Sequence, residues 1–289
     1  MTADPPTGAA PVAATGIAEG GLISEGLDAT LLMLRHGESE WIVEGRFQGQ
    51  AETPLSATGR RQAELAAVRL ARPHATPALP VPPGRPLEIV HSPLARTTET
   101  ARTVTAAINE DGGAPVPVRP DDGFKEIAQG DWEGVTHDEI ARRWAAELQA
   151  WRRRPAEAWA PGGESIVEVQ ARMRPALERI LHRLGEGHPR GSMDGPQVAG
   201  YTGGGPGADH PWTILVGHDG VFKIALLTLF GLPLTHFWTF PFALCGISVV
   251  EFRGGRAVLR AHSLTEHLGP LIDEQAQEAA EARARSGAM

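Results

Sequence analysis

Two histidines, two arginines and a glutamate stand at comparable places in the chain. Arg35-His36-Gly37-Glu38 follows the apolar run Thr30–Leu34, Arg96 lies in the first turn after Ser92-Pro93, Glu126 follows a third short apolar stretch, and His218 follows Thr213–Val216. Each therefore falls just beyond a predicted strand or on the first turn of the helix after it, where a ligand site of an open α/β sheet forms. Taken singly, each has a bland reading. His36 could be a surface-loop histidine, Arg96 could pair with Glu99 on a helix face, and His218 alone could be a satisfied structural residue. It is their shared position that makes a site. His36, Glu38, His218 and Asp219 also invite a metal reading, but no closely spaced ligand pair such as His-x-x-x-His is present, and no metal or other cofactor is expected.

The elements that must carry these residues alternate between strand and helix. Short apolar runs at Thr30–Leu34, Leu87–His91, Val116–Arg119 and Thr213–Val216 read as strands. Ser56 is the expected N-cap of a helix to Leu70, and Ser92-Pro93 the cap and first turn of another to about Asn109. Ser165 and Glu168 form a capping box for a helix whose apolar residues recur by threes and fours to Leu184, with a kink expected at Pro175. Ile247–Phe252 and Ala257–Ala261 read as a closing hairpin around Gly254-Gly255. The alternation predicts a three-layer α/β/α sandwich with a mostly parallel central sheet. Three insertions interrupt it: a surface segment at 72–87 with six prolines, a helical stretch at 135–160 carrying Trp144, Trp151 and Trp159, and a mobile Gly/Pro-rich loop at 185–211. The helical stretch is expected to roof the site, its tryptophans mainly as packing residues. Residues 1–28 and 269–289 are expected to be tails around one domain at 29–268.

The ordered motifs resemble the histidine phosphatase (phosphoglycerate mutase-like) superfamily. The resemblance runs through Leu32-Met-Leu-Arg-His-Gly-Glu-Ser39, Gly45-Arg-Phe-Gln-Gly49, Pro54-Leu-Ser-Ala-Thr-Gly59 with Gln62-Ala63, Ser92-Pro-Leu-Ala-Arg96, Gly130-Asp-Trp-Glu-Gly134, Gly162-Gly-Glu-Ser165 and Gly217-His218. An isolated Arg-His-Gly would carry little weight, but this series in order spans about residues 30 to 260. The resemblance implies that His36 is a nucleophile that becomes a phosphohistidine. It further implies that Arg35 and Arg96 grip the nonbridging oxygens, as a guanidinium fork can at any relevant pH. His218 would stabilise charge on the transferring group, helped by the backbone N–H of Asp219. Glu126 would be the general acid, a task that asks for a carboxyl protonated part of the time; Asp131 and Glu133 compete for it, and the family pattern favours Glu126. Gln48, Gly49 and Ser39 would border the substrate phosphate, Gly49 by allowing close backbone approach. One departure is Ile42 after Trp41, where the family usually has Asn, which removes an amide from the pocket. Glu52 in place of the common Asp is minor.

Composition sets the boundaries of this reading. With 27 basic and 35 acidic residues the formal charge is −8 and no broad basic patch exists, so nucleic acid is not an expected partner. An anionic substrate must be drawn in by a few placed arginines against that field. The single Cys245 lies among apolar neighbours and reads as a buried thiol. The most apolar helix, Val221–Phe230, is too short to span a membrane, and the Ala/Gly/Pro-rich first 28 residues lack the marks of a signal peptide. A cytoplasmic enzyme acting on a small phosphorylated metabolite, with a homodimer possible, is the expectation. Water is preferred as phosphoryl acceptor over a second metabolite, because the basic pair and tyrosine-containing stretch of cofactor-dependent mutases do not follow Glu126. Arg152-Arg-Arg154 reads as a solvated face instead. A catalytically silent phospho-ligand binding module is the remaining alternative, and the presence of all five residues speaks against it.

Overall fold

The computed structural model describes residues 21–187, 210–275 and 277. Its centre is a six-stranded sheet in the order β3-β2-β4-β1-β5-β6. The strands are β1 (Ala29–Arg35), β2 (Ile89–His91), β3 (Val118–Pro120), β4 (Trp212–Gly217), β5 (Ile247–Arg253) and β6 (Arg256–Leu264). β1, β2, β3 and β4 pair in parallel, while β5 runs antiparallel to β1, and β6 to β5. The predicted hairpin is present, with β6 longer than expected.

Successive side chains of a strand point to opposite faces, and β1 shows the result directly. Leu31 and Met33 enter one apolar core with α6 (Ile166–Gly185) and α7 (Asp219–Leu229). Leu32 and Leu34 enter a second core with α2 (Ala57–Ala71) and α3 (Ala95–Asn109). A strand buried on both faces reads as one continuous apolar run, as Thr30–Leu34 does. The three-layer α/β/α architecture follows from that two-sided burial.

The caps hold with one exception. Ser56 accepts from the Gly59 N–H at 3.0 Å. Ser165 and Glu168 form the reciprocal capping box, and α6 continues unbroken past Pro175. Ser92 is not a cap. α3 begins at Ala95, and its free Ala95 N–H is taken by the Glu52 carboxylate at 2.7 Å, a favourable place for an anion. The Ser92 hydroxyl serves the site instead.

Three boundaries differ from expectation. Order begins before Ala29: Leu27 is buried and Leu22 and Ile23 pack against the first core. The proline-rich 72–87 segment lacks regular structure, as expected, but buries Leu79 and Val81 in the second core, so it is part of the packing rather than only a surface insertion. The expected C-terminal tail is tied down at its start, where Glu274 receives Arg61 at 2.6 Å. The helical insertion resolves into α4 (His137–Arg143) and α5 (Ala145–Arg153), built on a small core of Trp132, Ile140, Leu148 and Ala160. Within it Trp151 is a packing residue, edge-on to Trp132, and Trp159 is exposed. A four-residue helix, α1 (Glu40–Val43), follows β1. Positions 188–209 of the predicted mobile loop lie outside the described residues.

Candidate active site

Strand register brings the two histidines together. Arg35 of β1 pairs with Gly217 of β4, so His36 and His218 are the next residues on neighbouring parallel strands. Their rings meet edge to face, with centroids 5.1 Å apart and planes at 64°. His36 is anchored by its own N–H to the Gly217 carbonyl at 3.0 Å.

Both side chains are buried. Nδ1 of His36 lies 2.6 Å from the Gly37 carbonyl. A carbonyl only accepts, so Nδ1 carries the hydrogen and Nε2 carries a lone pair. Burial first, then the charges of Arg96 and Arg35, hold this imidazole well below its ordinary pKa; the Gly37 carbonyl opposes them. The ring is therefore neutral at neutral pH, with Nε2 nucleophilic. His218 is lowered in the same direction by burial, then by Arg96, His36, Arg35 and Arg172. Its Nε2 meets the Ser92 hydroxyl at 2.8 Å, and its Nδ1 is buried without a partner among the described residues.

Arg96 is 1% exposed, yet among the described residues neither it nor Arg35 forms an ion pair. Arg96 donates to the carbonyls of Ala51 at 3.0 Å and Gly49 at 2.8 Å. Arg35 donates to the Phe242 carbonyl at 2.5 Å. The Nε of each is buried and unpartnered among the described residues. Burial pushes the Arg96 pKa down to about 10, against the pull of Glu126, Glu52 and Glu133, and it stays cationic at neutral pH. Burying a cation without a counter-ion costs several kcal/mol. An arriving anion relieves that cost at Arg96.

Glu126 is near enough for its charge to act on Arg96. Its carboxylate accepts from the N–H groups of Ile127 at 2.9 Å, Gly220 at 3.0 Å and Val221 at 3.0 Å. The last two belong to the first turn of α7, whose free N–H groups attract an anion. The Glu126 carbonyl is held by Arg172 at 2.8 Å and by the Gln50 amide at 3.1 Å, and both of these donors also bond Glu164.

The remaining predicted residues fall into different jobs. Gln48 Oε1 receives the hydroxyls of Ser39 at 2.7 Å and Thr53 at 3.0 Å, which leaves its NH2 as the outward donor. The Ser39 hydroxyl is thus committed to aiming Gln48. The Asp219 carboxylate is likewise taken, by the Phe242 N–H at 3.0 Å and Lys223 at 2.5 Å. For Gly49 the fold adds a packing reason to the expected one. Its φ is +55°, and a Cβ there would strike the Glu133 carboxylate and come within 2.7 Å of the Gln129 nitrogen. Close packing against the Gln129–Glu133 turn already demands glycine here.

Sequence reading missed Ser92, Arg172, Glu164 and Gln50 as supports of the site. Glu164 had a signal: it stands immediately before the capping box, eight residues ahead of Arg172, which it meets at 2.7 Å. Gly37 and Gly59 also gain a reason. A Cβ on Gly37 would collide with the Gly59 carbonyl, and one on Gly59 with the Glu38 carbonyl, so these two glycines let the His36 loop lie directly on α2. Cys245 is buried as expected, its thiol pushed up to about 12 by burial. Among the described residues no group of three or more His, Cys, Asp or Glu is placed to hold a metal ion, and no helix is long and apolar enough to cross a membrane.

Comparison with known proteins identifies the family. The chain is 34% identical over 205 residues to a glucosyl-3-phosphoglycerate phosphatase of Mycolicibacterium vanbaalenii, covering 71% of this chain and 75% of that one. It is 28% identical over 245 residues to phosphoserine phosphatase 1 of Hydrogenobacter thermophilus, covering 84% and 96%. A solved mycobacterial glucosyl-3-phosphoglycerate phosphatase in complex with VO3 superposes with a TM-score of 0.64 at 29% identity, over 82% of this chain and 100% of that one. The description "Histidine phosphatase superfamily (branch 1)" matches residues 31–188 and 205–265. On the match of this family over most of its length, the chain belongs to the histidine phosphatase superfamily, branch 1, and is a phosphatase of that family.

Proposed function

We propose that the chain hydrolyses a small phosphorylated metabolite through a phosphohistidine on His36, without a metal. Nε2 of His36 attacks phosphorus and forms an N–P bond as the ester P–O bond breaks. The departing alkoxide takes its proton from Glu126. In the second half, Glu126 accepts a proton from water as the water oxygen attacks phosphorus, the N–P bond breaks, and inorganic phosphate leaves. Arg35, Arg96, the Gln48 amide and His218 Nδ1–H hold the nonbridging oxygens. The Asp219 N–H, on the first turn of α7 and not used by Glu126, joins them.

The observation that carries this reading is a neutral, buried imidazole beside the buried Arg96 and the part-buried Arg35, neither of which has an ion-pair partner among the described residues. Such a site is short of one anion and holds a free nucleophilic nitrogen beside it. Water is the preferred acceptor: Glu126 runs into the tight Gly130–Trp132 turn against Phe47, with no basic pair or tyrosine to grip a second phosphate. The substrate class is supported by the two relatives, whose names specify phosphoserine and glucosyl-3-phosphoglycerate.

Rapid quenching with a 32P-labelled phosphomonoester tests the mechanism. Acid-labile label on the wild-type chain, absent from a folded His36→Ala variant without turnover, is the expected result. An active wild type that never carries label would overturn it. Phosphate release that is insensitive to chelator is expected in the same assay.

A further inference from the structure

One irregular segment, Phe242–Gly246, holds Arg35 and His36 together. The Phe242 carbonyl accepts the Arg35 guanidinium, the Gly246 carbonyl accepts the Arg35 N–H at 3.3 Å, and the Cys245 N–H donates to the His36 carbonyl at 3.2 Å. A segment without its own ladder of hydrogen bonds must be fixed from outside. One support is Asp219, already described. The other is a defect in β6.

Between the pairs Ile247↔Leu264 and Val249↔Ala261, β6 has one more residue than β5. A bulge of this kind leaves a residue unpaired and re-aims its neighbours, here His262 and Ser263. Ser263 has φ +50°, as has Cys245, and among the described residues these are the only non-glycines with positive φ. That backbone region is disfavoured for residues with a Cβ and persists only where surrounding bonds impose it. Those bonds are present. Ser263 Oγ accepts the Ala243 N–H at 2.7 Å, and the Ser263 N–H donates to Ser248 Oγ at 2.9 Å. Ser248 Oγ meets His262 Nδ1 at 3.1 Å. The His262 ring lies edge-on to Phe242, centroids 4.9 Å apart at 84°, and to Phe240 at 5.8 Å. A Cβ on Gly246 would come within 2.8 Å of Ser263 Oγ, so the segment is pressed onto the bulge.

We infer that His262 and Ser263 are positioning residues that set the direction of the Arg35 guanidinium through the Phe242–Gly246 segment. They touch neither the phosphoryl group nor His36. The inference rests on the reading above in which Arg35 grips phosphate oxygens.

Orthovanadate and orthophosphate, as competitive inhibitors, report that grip. His262→Phe keeps a ring against Phe242 and removes the bond to Ser248; Ser263→Ala removes the acceptor of Ala243. In either variant the inhibition constants for both anions are expected to rise about tenfold, with the thermal midpoint recorded alongside. In an Arg35→Lys background the same changes are expected to have an effect of less than about twofold, because their route is already cut. A cooperative folded single variant whose inhibition constants stay within about twofold of wild type overturns the inference. So does an undiminished loss in the Arg35→Lys background. If Arg35→Lys alone leaves vanadate binding unchanged, the phosphate role of Arg35 falls, and this inference with it. If Arg35→Lys weakens vanadate and the bulge variants do not, only the inference falls.

Discussion

His218 Nε2 lies 2.8 Å from the hydroxyl of Ser92, the residue that follows β2. The bond links the ends of two adjacent parallel strands and fixes which nitrogen of His218 faces the site, leaving Nδ1 buried and unpartnered among the described residues. Ser92 is thus worth more to the histidine than to the helix it precedes. Removing the hydroxyl in Ser92→Ala frees the ring to turn and leaves Nε2 buried without a partner, a loss of about 1–3 kcal/mol. About a tenfold fall in kcat with little change in KM is expected. Steady-state kinetics on the variant check it; a kcat equal to wild type would mean that the ring is held by packing alone.

The pH dependence follows from the two lowered imidazoles. A nucleophilic His36 must be neutral, and its pKa is held well below 6.5 by burial, Arg96 and Arg35. The acid limb of kcat/KM is therefore expected below pH 6.5. An acid limb above that pH would contradict the electrostatics described here. Stability has the same sign. In the unfolded chain His36 and His218 take up protons near pH 6.5; in the folded chain they resist. The unfolded state then binds more protons as pH falls, and stability, fully present above pH 6.5, is lost as pH drops toward the folded values. Thermal midpoints measured from pH 7.5 downward should fall faster for wild type than for a His36→Asn variant.

Much of the site was legible in the sequence because strand ends are legible. Continuous apolar runs marked β1 and β4, and the residue after each could be named before any pairing was known. What pairing adds is distance, and the Arg35↔Gly217 register that joins the histidines was not readable from either segment alone. Ser92 was misjudged for a related reason: Ser-Pro is a good local capping signal, but a carboxylate from elsewhere, Glu52, took the helix start. The packing need for glycine at position 49 was not readable, since only tertiary contact reveals Glu133 and Gln129 beneath it. The support by Arg172, Gln50 and Glu164 spans three separated segments and carries no periodic signal.

Glu126→Gln separates the acid role from positioning. Two of the three N–H groups on this carboxylate come from the first turn of α7. An amide can still accept from one side, but its NH2 must then face a backbone donor, so the side chain is displaced as well as stripped of its proton. The variant is expected to slow an alkyl phosphate by about 100-fold or more, within the range for a lost general acid. It should slow p-nitrophenyl phosphate far less, because p-nitrophenolate leaves without protonation. Equal slowing of the two substrates would take the acid role from Glu126.

The glycine pair beneath His36 gives the most demanding prediction. Gly37 and Gly59 meet back to back, and a single added methyl at Gly59 would collide with the Glu38 carbonyl, which is backbone and cannot swing aside as a flexible side chain does. Relief must come from moving the Arg35–Glu38 turn away from α2, breaking the bond from the Glu38 N–H to Gln62 at 2.8 Å and that from Ser56 to the Glu38 carboxylate at 2.7 Å. Overpacking of this kind costs about 1–3 kcal/mol of stability. The catalytic loss should be larger in proportion, because an ångström of displacement of a nucleophile can cost about 100-fold in rate. Gly59→Ala is therefore expected to remain folded at room temperature, with a lowered thermal midpoint, and to lose about two orders of magnitude in kcat/KM. Calorimetry and steady-state kinetics on one preparation decide it: a variant destabilised by that amount with full activity would show that the nucleophile loop does not depend on its seat against α2.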